Sequence, residues 1–132
     1  MRIPPELIEE IVAHAREVAP EECCGVLTGL GTQATHVERA ENEFAHRMRY
    51  RIAPDELFRL TQLAGSRGED VIATYHSHPR SEAYPSQTDI NEVSQWDESF
   101  HVICSLEDPA NPVVRAFAIR RTHVDELELS DG

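Results

Sequence analysis

The feature that most constrains this chain is an apolar, β-branched run at 71–75 that leads directly into His-Ser-His-Pro at 76–79. Such a run predicts a buried β-strand, and the proline is expected to end it because proline cannot donate to a strand ladder. Residues two apart on a strand point to the same face, so His76 and His78 should project together. Pro-Ser-Gln-Thr-Asp at 85–89 then predicts the start of a helix, which can bring Asp89 back toward both imidazoles. The pattern favours a site built from two histidines and one carboxylate.

A set of three such ligands is typical of catalytic zinc, which keeps a fourth position open, whereas structural zinc is usually closed by four ligands rich in cysteine. Zinc lowers the pKa of a bound water to roughly 7, but a hydrolase also needs a base and a donor for the developing oxyanion. Ser86, three residues before Asp89, is the candidate donor. Glu22, which immediately precedes an apolar predicted strand, is the candidate base.

Each of these residues also has a simpler structural interpretation. Ser86 and Asp89 have the spacing of a helix capping box, and two histidines on one strand can be a hydrogen-bonded polar pair. Glu21 competes with Glu22 for the role of base. The other histidines show no ligand spacing and are expected at the surface or in hydrogen bonds; they are His14, His36, His46, His101 and His123.

Three segments together carry a family resemblance: Glu-x-Cys-Gly-x-Leu-x-Gly at 22–29, His-Ser-His-Pro at 76–79 and Pro-Ser-x-x-Asp at 85–89. Across nearly the whole chain, the sequence resembles the JAMM, or MPN-plus, metalloprotease family. The resemblance implies an α/β fold with a cytidine-deaminase-like three-layer core, in which a mixed sheet is flanked by helices. It also implies one zinc ion held by His76, His78 and Asp89, with Glu22 as general base and Ser86 supporting the tetrahedral intermediate.

The same resemblance implies a substrate class. The family hydrolyses amide or isopeptide bonds at the C-terminal Gly-Gly of ubiquitin or ubiquitin-like proteins, and this chain resembles its minimal prokaryotic form. Asn42 and the segments 50–54 and 83–86 resemble the branch that acts on sulfur-carrier proteins, including the hydrolase that frees cysteine from a carrier. The expected partner is therefore a ubiquitin-like or sulfur-carrier protein ending in Gly-Gly, whose tail lies along a sheet edge. A RadC-like protein and a non-catalytic MPN interaction module are the alternatives.

Composition argues against several other functions. With 24 acidic against 12 basic residues, the net charge of −12 disfavours nucleic acid as the main partner. The three cysteines form no Cys-x-x-Cys pair, which disfavours a disulfide framework, a zinc ribbon and the zinc deaminases. The apolar runs are too short to span a bilayer, and the N-terminus lacks the pattern of a signal peptide, so a cytoplasmic location is expected. A length of 132 residues predicts a single domain over 1–132.

The remaining segments predict an alternation of helices and strands. Helices are expected from Pro4-Pro5 to Val18, over 54–64, and from Ser86 to about Trp96. The predicted strands cover 23–30, 33–39, 48–52, 70–76, 100–106, 113–120 and 123–129.

Overall fold

The computed structural model of the protein describes residues 1–45, 49–92 and 98–131. Within them the chain alternates helices with strands, as the sequence predicts. The elements are α1 (Pro5–Val18), β1 (Cys24–Leu30), β2 (Gln33–Ala40), α2 (Pro54–Ser66), β3 (Asp70–His78), α3 (Gln87–Glu92), β4 (Glu98–Ser105), β5 (Val113–Arg120) and β6 (His123–Leu127).

The six strands form a mixed sheet in the order β2-β1-β3-β4-β5-β6. Neighbouring strands are antiparallel, except that β3 and β4 run parallel. A parallel pair needs a crossover connection, and here α3 lies between the two strands in the chain. The strand that carries the two histidines, β3, is therefore an inner strand with partners on both edges.

Helices cover both faces of this sheet. On one face, Leu7 and Ile11 of α1 pack in an apolar cluster with Leu27 and Tyr75. On the other face, Leu60 of α2 packs in a second cluster that includes Cys24 and Val26 of β1. Each fully buried Leu or Ile side chain contributes about 1.5–3 kcal/mol, so these two clusters hold the helices on the sheet. The mixed sheet flanked by helices confirms the predicted α/β class.

One predicted strand is wrong. Residues 49–52 lie outside the strands, and Met48 lies outside the described residues. The backbone of this segment bonds to Asn42 and Glu43 instead of to a neighbouring strand. The Asn42 carboxamide donates to the Arg49 carbonyl oxygen (2.9 Å) and accepts from the Arg51 N–H (3.1 Å), and the Glu43 N–H donates to the Arg51 carbonyl oxygen (2.8 Å). The alternation of apolar and basic residues reflected half-burial of the segment and not a ladder.

The remaining differences lie at element ends. The predicted end of α3 near Trp96 falls outside the described residues. The other helix and strand ends lie within two residues of the predicted ones. All three cysteines are free and buried. Among the described residues, no helix has the length and apolarity needed to cross a membrane.

Candidate metal centre

Four of the predicted site residues meet at one end of the sheet. His76 and His78 end β3 and share a face, and Asp89 lies in the first turn of α3. Cys24 of β1 pairs with His76, so Glu22, two residues before Cys24, enters the same region. Each of the four residues is at most 7% exposed. The fold therefore brings His76, His78, Asp89 and Glu22 together in a buried cluster.

Three atoms of this cluster form a nearly equilateral triangle. His76 Nε2 lies 3.1 Å from His78 Nε2, and Asp89 Oδ2 lies 3.1 Å from both nitrogens. Ligand atoms bound tetrahedrally to zinc at 2.0–2.1 Å are about 3.4 Å from one another, close to this spacing. The triangle has the size of one face of a tetrahedral metal site.

The protons of the cluster support the same interpretation. His78 Nδ1 donates to the carbonyl oxygen of Glu82 (2.8 Å), so in the neutral imidazole Nε2 carries the lone pair. That lone pair faces a carboxylate oxygen and a second ring nitrogen, all buried. Three acceptor atoms in such proximity repel one another unless a proton or a cation stands among them. The donor set of two imidazoles and one carboxylate thus fits a divalent metal.

The pKa shifts in the cluster have identifiable causes. Burial lowers the pKa of His76, which favours the neutral, metal-binding ring. For His78, burial is outweighed by Asp89 and the Glu82 carbonyl, and the pKa is raised. Burial would raise the pKa of Asp89, but the two imidazoles and the Ser86 N–H hold it well below its usual range, so Asp89 is ionised.

Two carboxylates could serve as the third ligand. A Glu22 oxygen and the ring nitrogens of His76 and His78 fall within 4.8 Å of one another, a looser arrangement than the 3.1 Å contacts of Asp89. Glu22 Oε1 is buried without a hydrogen-bond partner among the described residues, and burial raises the pKa of this carboxyl to about 8. A bound cation would lower that pKa. The tighter spacing favours Asp89 over Glu22 as the third ligand, with the Glu22 carboxyl next to the two imidazoles.

Ser86 and Asp89 are joined by reciprocal hydrogen bonds. The Asp89 N–H donates to Ser86 Oγ (3.0 Å), and the Ser86 N–H donates to Asp89 Oδ2 (2.8 Å). This is a capping box, so the structural interpretation of the motif holds. The same Asp89 oxygen also faces both imidazoles, so the cap and the candidate ligand are one arrangement and not alternatives.

Two supports of the site were not found from the sequence. Ser77, between the histidines, points to the opposite face, where its Oγ accepts the Cys23 N–H (2.8 Å), and its own N–H donates to the Cys23 carbonyl (3.1 Å). These bonds tie the residue after Glu22 to the histidine strand. The Glu82 carbonyl, which orients His78, is a backbone group in a loop, and no side-chain pattern identifies it.

The other histidines divide into three groups. His14 is buried and its Nδ1 lies 2.7 Å from the Tyr75 hydroxyl, as a hydrogen-bonded histidine should. His101 is also buried, 3.4 Å from Thr74 Oγ1, and it borders a cavity of about 600 Å³ that reaches Asp89. His36 bonds with Thr35 and Glu69 near the surface, His123 is exposed, and His46 lies outside the described residues.

Comparison with protein families gives a match over most of the chain. The family described as prokaryotic homologs of the JAB domain matches residues 4–120. This range includes all five of the predicted site residues.

Individual relatives are similar over comparable lengths. A CysO-cysteine peptidase of Mycobacterium tuberculosis is 32% identical over 117 residues, which cover 86% of this chain and 79% of the relative. A desampylase of Haloferax volcanii is 36% identical over 104 residues, 74% of each chain. Among solved structures, a protein of Desulfitobacterium hafniense has a TM-score of 0.89 and 28% identity, covering 98% of this chain and 90% of its own.

Proposed function

Because the chain belongs to the family of prokaryotic homologs of the JAB domain, we propose that this peptidase hydrolyses the bond after a C-terminal Gly-Gly of a ubiquitin-like or sulfur-carrier protein. The leaving group in this proposal is an amine, either free cysteine or a lysine of another protein. The observation that carries the proposal is the 3.1 Å triangle of His76, His78 and Asp89 with the Glu22 carboxyl beside it. The mycobacterial relative is named a CysO-cysteine peptidase, which supports cysteine as one leaving group.

In this proposal His76, His78 and Asp89 hold one zinc ion. Bound there, zinc would act as a Lewis acid that polarises a carbonyl and lowers the pKa of water. Imidazole and carboxylate ligands with an open position are the set that catalytic zinc uses. The Glu82 carbonyl, through its bond from His78 Nδ1, keeps the coordinating nitrogen of that ring unprotonated.

Glu22 moves the proton. Its carboxylate takes a proton from the attacking water and returns it to the nitrogen of the leaving amine, so that the amide bond breaks to give an acid and an amine. Its burial suits this role, because a carboxyl whose pKa lies above the usual range for glutamate binds a proton readily.

Ser86 stabilises the oxyanion. Its Oγ accepts the Asp89 N–H, which leaves the hydroxyl hydrogen free to donate to the carbonyl oxygen as that oxygen gains charge. The capping bonds fix this hydroxyl beside the candidate ligand. Donors that are oriented before the reaction cost no reorganisation in the transition state.

The burial of the clustered residues supports a substrate tail without side chains. The four clustered residues are at most 7% exposed, so a substrate must bring its scissile carbonyl close to buried groups. Two glycines carry no side chain and allow the backbone to approach closely. The proposal therefore expects glycine at both positions.

The test is product analysis by mass spectrometry with zinc-loaded protein. Carriers ending in Gly-Gly are extended by cysteine or by a lysine-linked peptide, and matched carriers end in Ala-Ala. We expect release of the intact Gly-Gly carrier, no cleavage after Ala-Ala, and a loss of turnover of about 10³-fold in Glu22→Gln with zinc retained. Glu21→Gln is the matched control and should keep full activity.

The outcomes separate the parts of the proposal. An equal loss of turnover in Glu21→Gln and Glu22→Gln would contradict the proposal that Glu22 is the base. Cleavage of Ala-Ala carriers at the same rate would remove the Gly-Gly requirement. If zinc-loaded protein cleaves no carrier, the substrate class is wrong, and the RadC-like and interaction-module alternatives regain weight.

A further inference from the structure

The two imidazoles of the metal centre are supported in different ways. The ring of His78 is fixed by the bond from its Nδ1 to the Glu82 carbonyl. In contrast, Nδ1 of His76 is buried and has no hydrogen-bond partner among the described residues. The terminal torsion of a histidine is broad, so a ring without such a bond needs another contact to fix its plane.

Tyr50 supplies that contact. Its ring stacks on the His76 ring with centroids 4.4 Å apart and an angle of 20° between the planes. Tyr50 also packs against the apolar cluster that contains Val26 and Leu60, so its own position is constrained from the other side. Stacked aromatic pairs contribute about 0.5–1.5 kcal/mol beyond buried area, enough to select one ring orientation.

Asn42 holds the segment that carries Tyr50. Its carboxamide donates to the carbonyl oxygens of Arg49 (2.9 Å) and Glu22 (3.1 Å), and its Oδ1 accepts the N–H groups of Arg51 (3.1 Å) and Phe44 (3.0 Å). These four bonds use both donors and both lone-pair sites of the amide. One side chain therefore joins the backbone of Glu22 to the residues on either side of Tyr50.

We propose that Tyr50 and Asn42 are positioning residues of the metal centre. Tyr50 fixes the plane of the His76 ring by stacking, and Asn42 sets the position of Tyr50 relative to Glu22. The ligand ring and the catalytic carboxyl are thereby aligned by one shared support. This inference rests on the proposed function only in taking the His76, His78 and Asp89 site to hold a metal.

The first test measures the zinc affinity of folded protein by competition with a chelator. Tyr50→Leu removes the flat ring and should weaken zinc binding about 10-fold, in the range known for residues that orient ligands. Tyr50→Phe keeps the ring and should restore an affinity within about twofold of the wild type. The absorption spectrum of the Co²⁺-loaded protein should change in Tyr50→Leu and not in Tyr50→Phe.

Val71→Ala is the matched control, because Val71 packs against the same apolar cluster as Tyr50. It should lower the unfolding free energy of the metal-free protein while leaving the zinc affinity unchanged. A merely structural role for Tyr50 predicts the same behaviour in Tyr50→Leu, and that result would overturn the proposal. Tyr50→Met, which fills space without a flat ring, takes the place of Tyr50→Leu if the latter is unfolded.

The second test is a double-mutant cycle with Asn42→Ala. If Asn42 acts through Tyr50, the double variant Asn42→Ala, Tyr50→Leu binds zinc no more weakly than the weaker single variant. Additive losses would refute the shared support. Asn111→Ala, an exposed asparagine that bonds to Asp108, is the control and should leave zinc affinity unchanged. Failure of the wild type to bind zinc would instead overturn the proposed function and this inference with it.

Discussion

The buried polar groups on the two faces of β3 differ in how they are hydrogen-bonded. On the α1 face, His14 Nδ1 meets the Tyr75 hydroxyl at 2.7 Å, with the rings edge to face, and the Ser77 hydroxyl accepts the Cys23 N–H. These groups form hydrogen bonds in ordinary geometry. On the other face, starting one residue along the same strand, His76 and His78 crowd their ring nitrogens against Asp89.

The face that carries His76 and His78 also has buried polar atoms without hydrogen-bond partners. Glu22 Oε1 and His76 Nδ1 are buried without hydrogen-bond partners among the described residues. Native proteins pair most buried polar groups, and those that stay unpaired tend to have a functional reason. β3 therefore carries hydrogen-bonded polar groups on its α1 face and crowded, partly unpaired polar groups on the face toward α3. We expect the first set to affect stability and the second set to affect metal binding.

The sharpest test of this difference is removal of the third candidate ligand, Asp89. Zinc at 100 times its dissociation constant should raise the unfolding free energy of the wild type by about 2.7 kcal/mol. In Asp89→Asn, zinc affinity should fall at least about 100-fold, so the same zinc concentration should add at most about 0.4 kcal/mol. Chemical denaturation with and without zinc measures both increments.

Two control variants sharpen the result. Tyr75→Phe breaks the His14 bond on the opposite face and should lower stability while keeping the full zinc increment. Asp70→Asn removes an exposed carboxylate at the start of β3 and should change neither quantity. Full zinc stabilisation in Asp89→Asn would show that Asp89 is a cap and not a ligand.

Ser86→Ala tests whether the reactive face does more than bind metal. We expect kcat to fall roughly 100-fold, because a lost oxyanion donor acts in the transition state, while zinc affinity stays near the wild-type value. Loss of the helix cap should cost about 1 kcal/mol of stability. Ser66→Ala, at the exposed end of α2, is the control for loss of a surface hydroxyl. A stability loss with unchanged kcat would reduce Ser86 to the capping role.

Much of this site could be predicted because it depends on local geometry. Strand alternation places His76 and His78 on one face, and the helix start that follows 85–86 returns Asp89 to them. Each step needs only a few residues of sequence. The roles of these residues remain predictions until metal binding and turnover are measured.

The rest of the site depends on contacts between distant segments. The strand expected at 48–52 was wrong because the Asn42 amide satisfies the backbone at Arg49 and Arg51. Local sequence propensities predict neither these bonds from a distant side chain nor the stacking of Tyr50 on His76, which is 26 positions away. The burial of His101 likewise follows from its pairing opposite Thr74 in the parallel β3–β4 ladder, which periodicity does not specify.

Gly25 tests the packing of the α1 face. A Cβ added here would lie 2.3 Å from the Tyr75 ring and 2.5 Å from the Glu38 carbonyl oxygen, so this glycine makes room for the tyrosine that reaches His14. Gly25→Ala should lower the unfolding free energy by about 3 kcal/mol, since both the ring and the backbone must move. The thermal or urea transition of the metal-free protein measures the loss.

Gly65 provides the matched control for that substitution. It lies in α2, and an added Cβ there would meet nothing within 4 Å. Gly65→Ala should stabilise the protein by about 0.5–1 kcal/mol through helix propensity and a less flexible unfolded chain. Equal effects at the two glycines would contradict the packing assigned to Tyr75.

His14, on the α1 face, should make the stability of the protein depend on pH. Burial, and to a lesser extent Arg39, lowers the pKa of His14 from 6.5 to about 4, against partial opposition from Glu17. The unfolded chain therefore binds more protons than the native state between these values, and the unfolding free energy rises with pH there. The contribution is complete above pH 6.5 and is lost as the pH falls toward 4.

We expect this loss to be about 2 kcal/mol, below the limit set by the full pKa difference. His14→Gln should flatten the stability profile between pH 6.5 and 4 relative to the wild type, whereas His123→Gln, at an exposed site, should leave it unchanged. Because His101 also has a pKa lowered to about 4, the comparison between variants isolates the share of His14. An unchanged slope in His14→Gln would mean that the Tyr75 hydroxyl holds the charged ring of His14 as well as the neutral one, and that burial at this position does not favour the neutral ring.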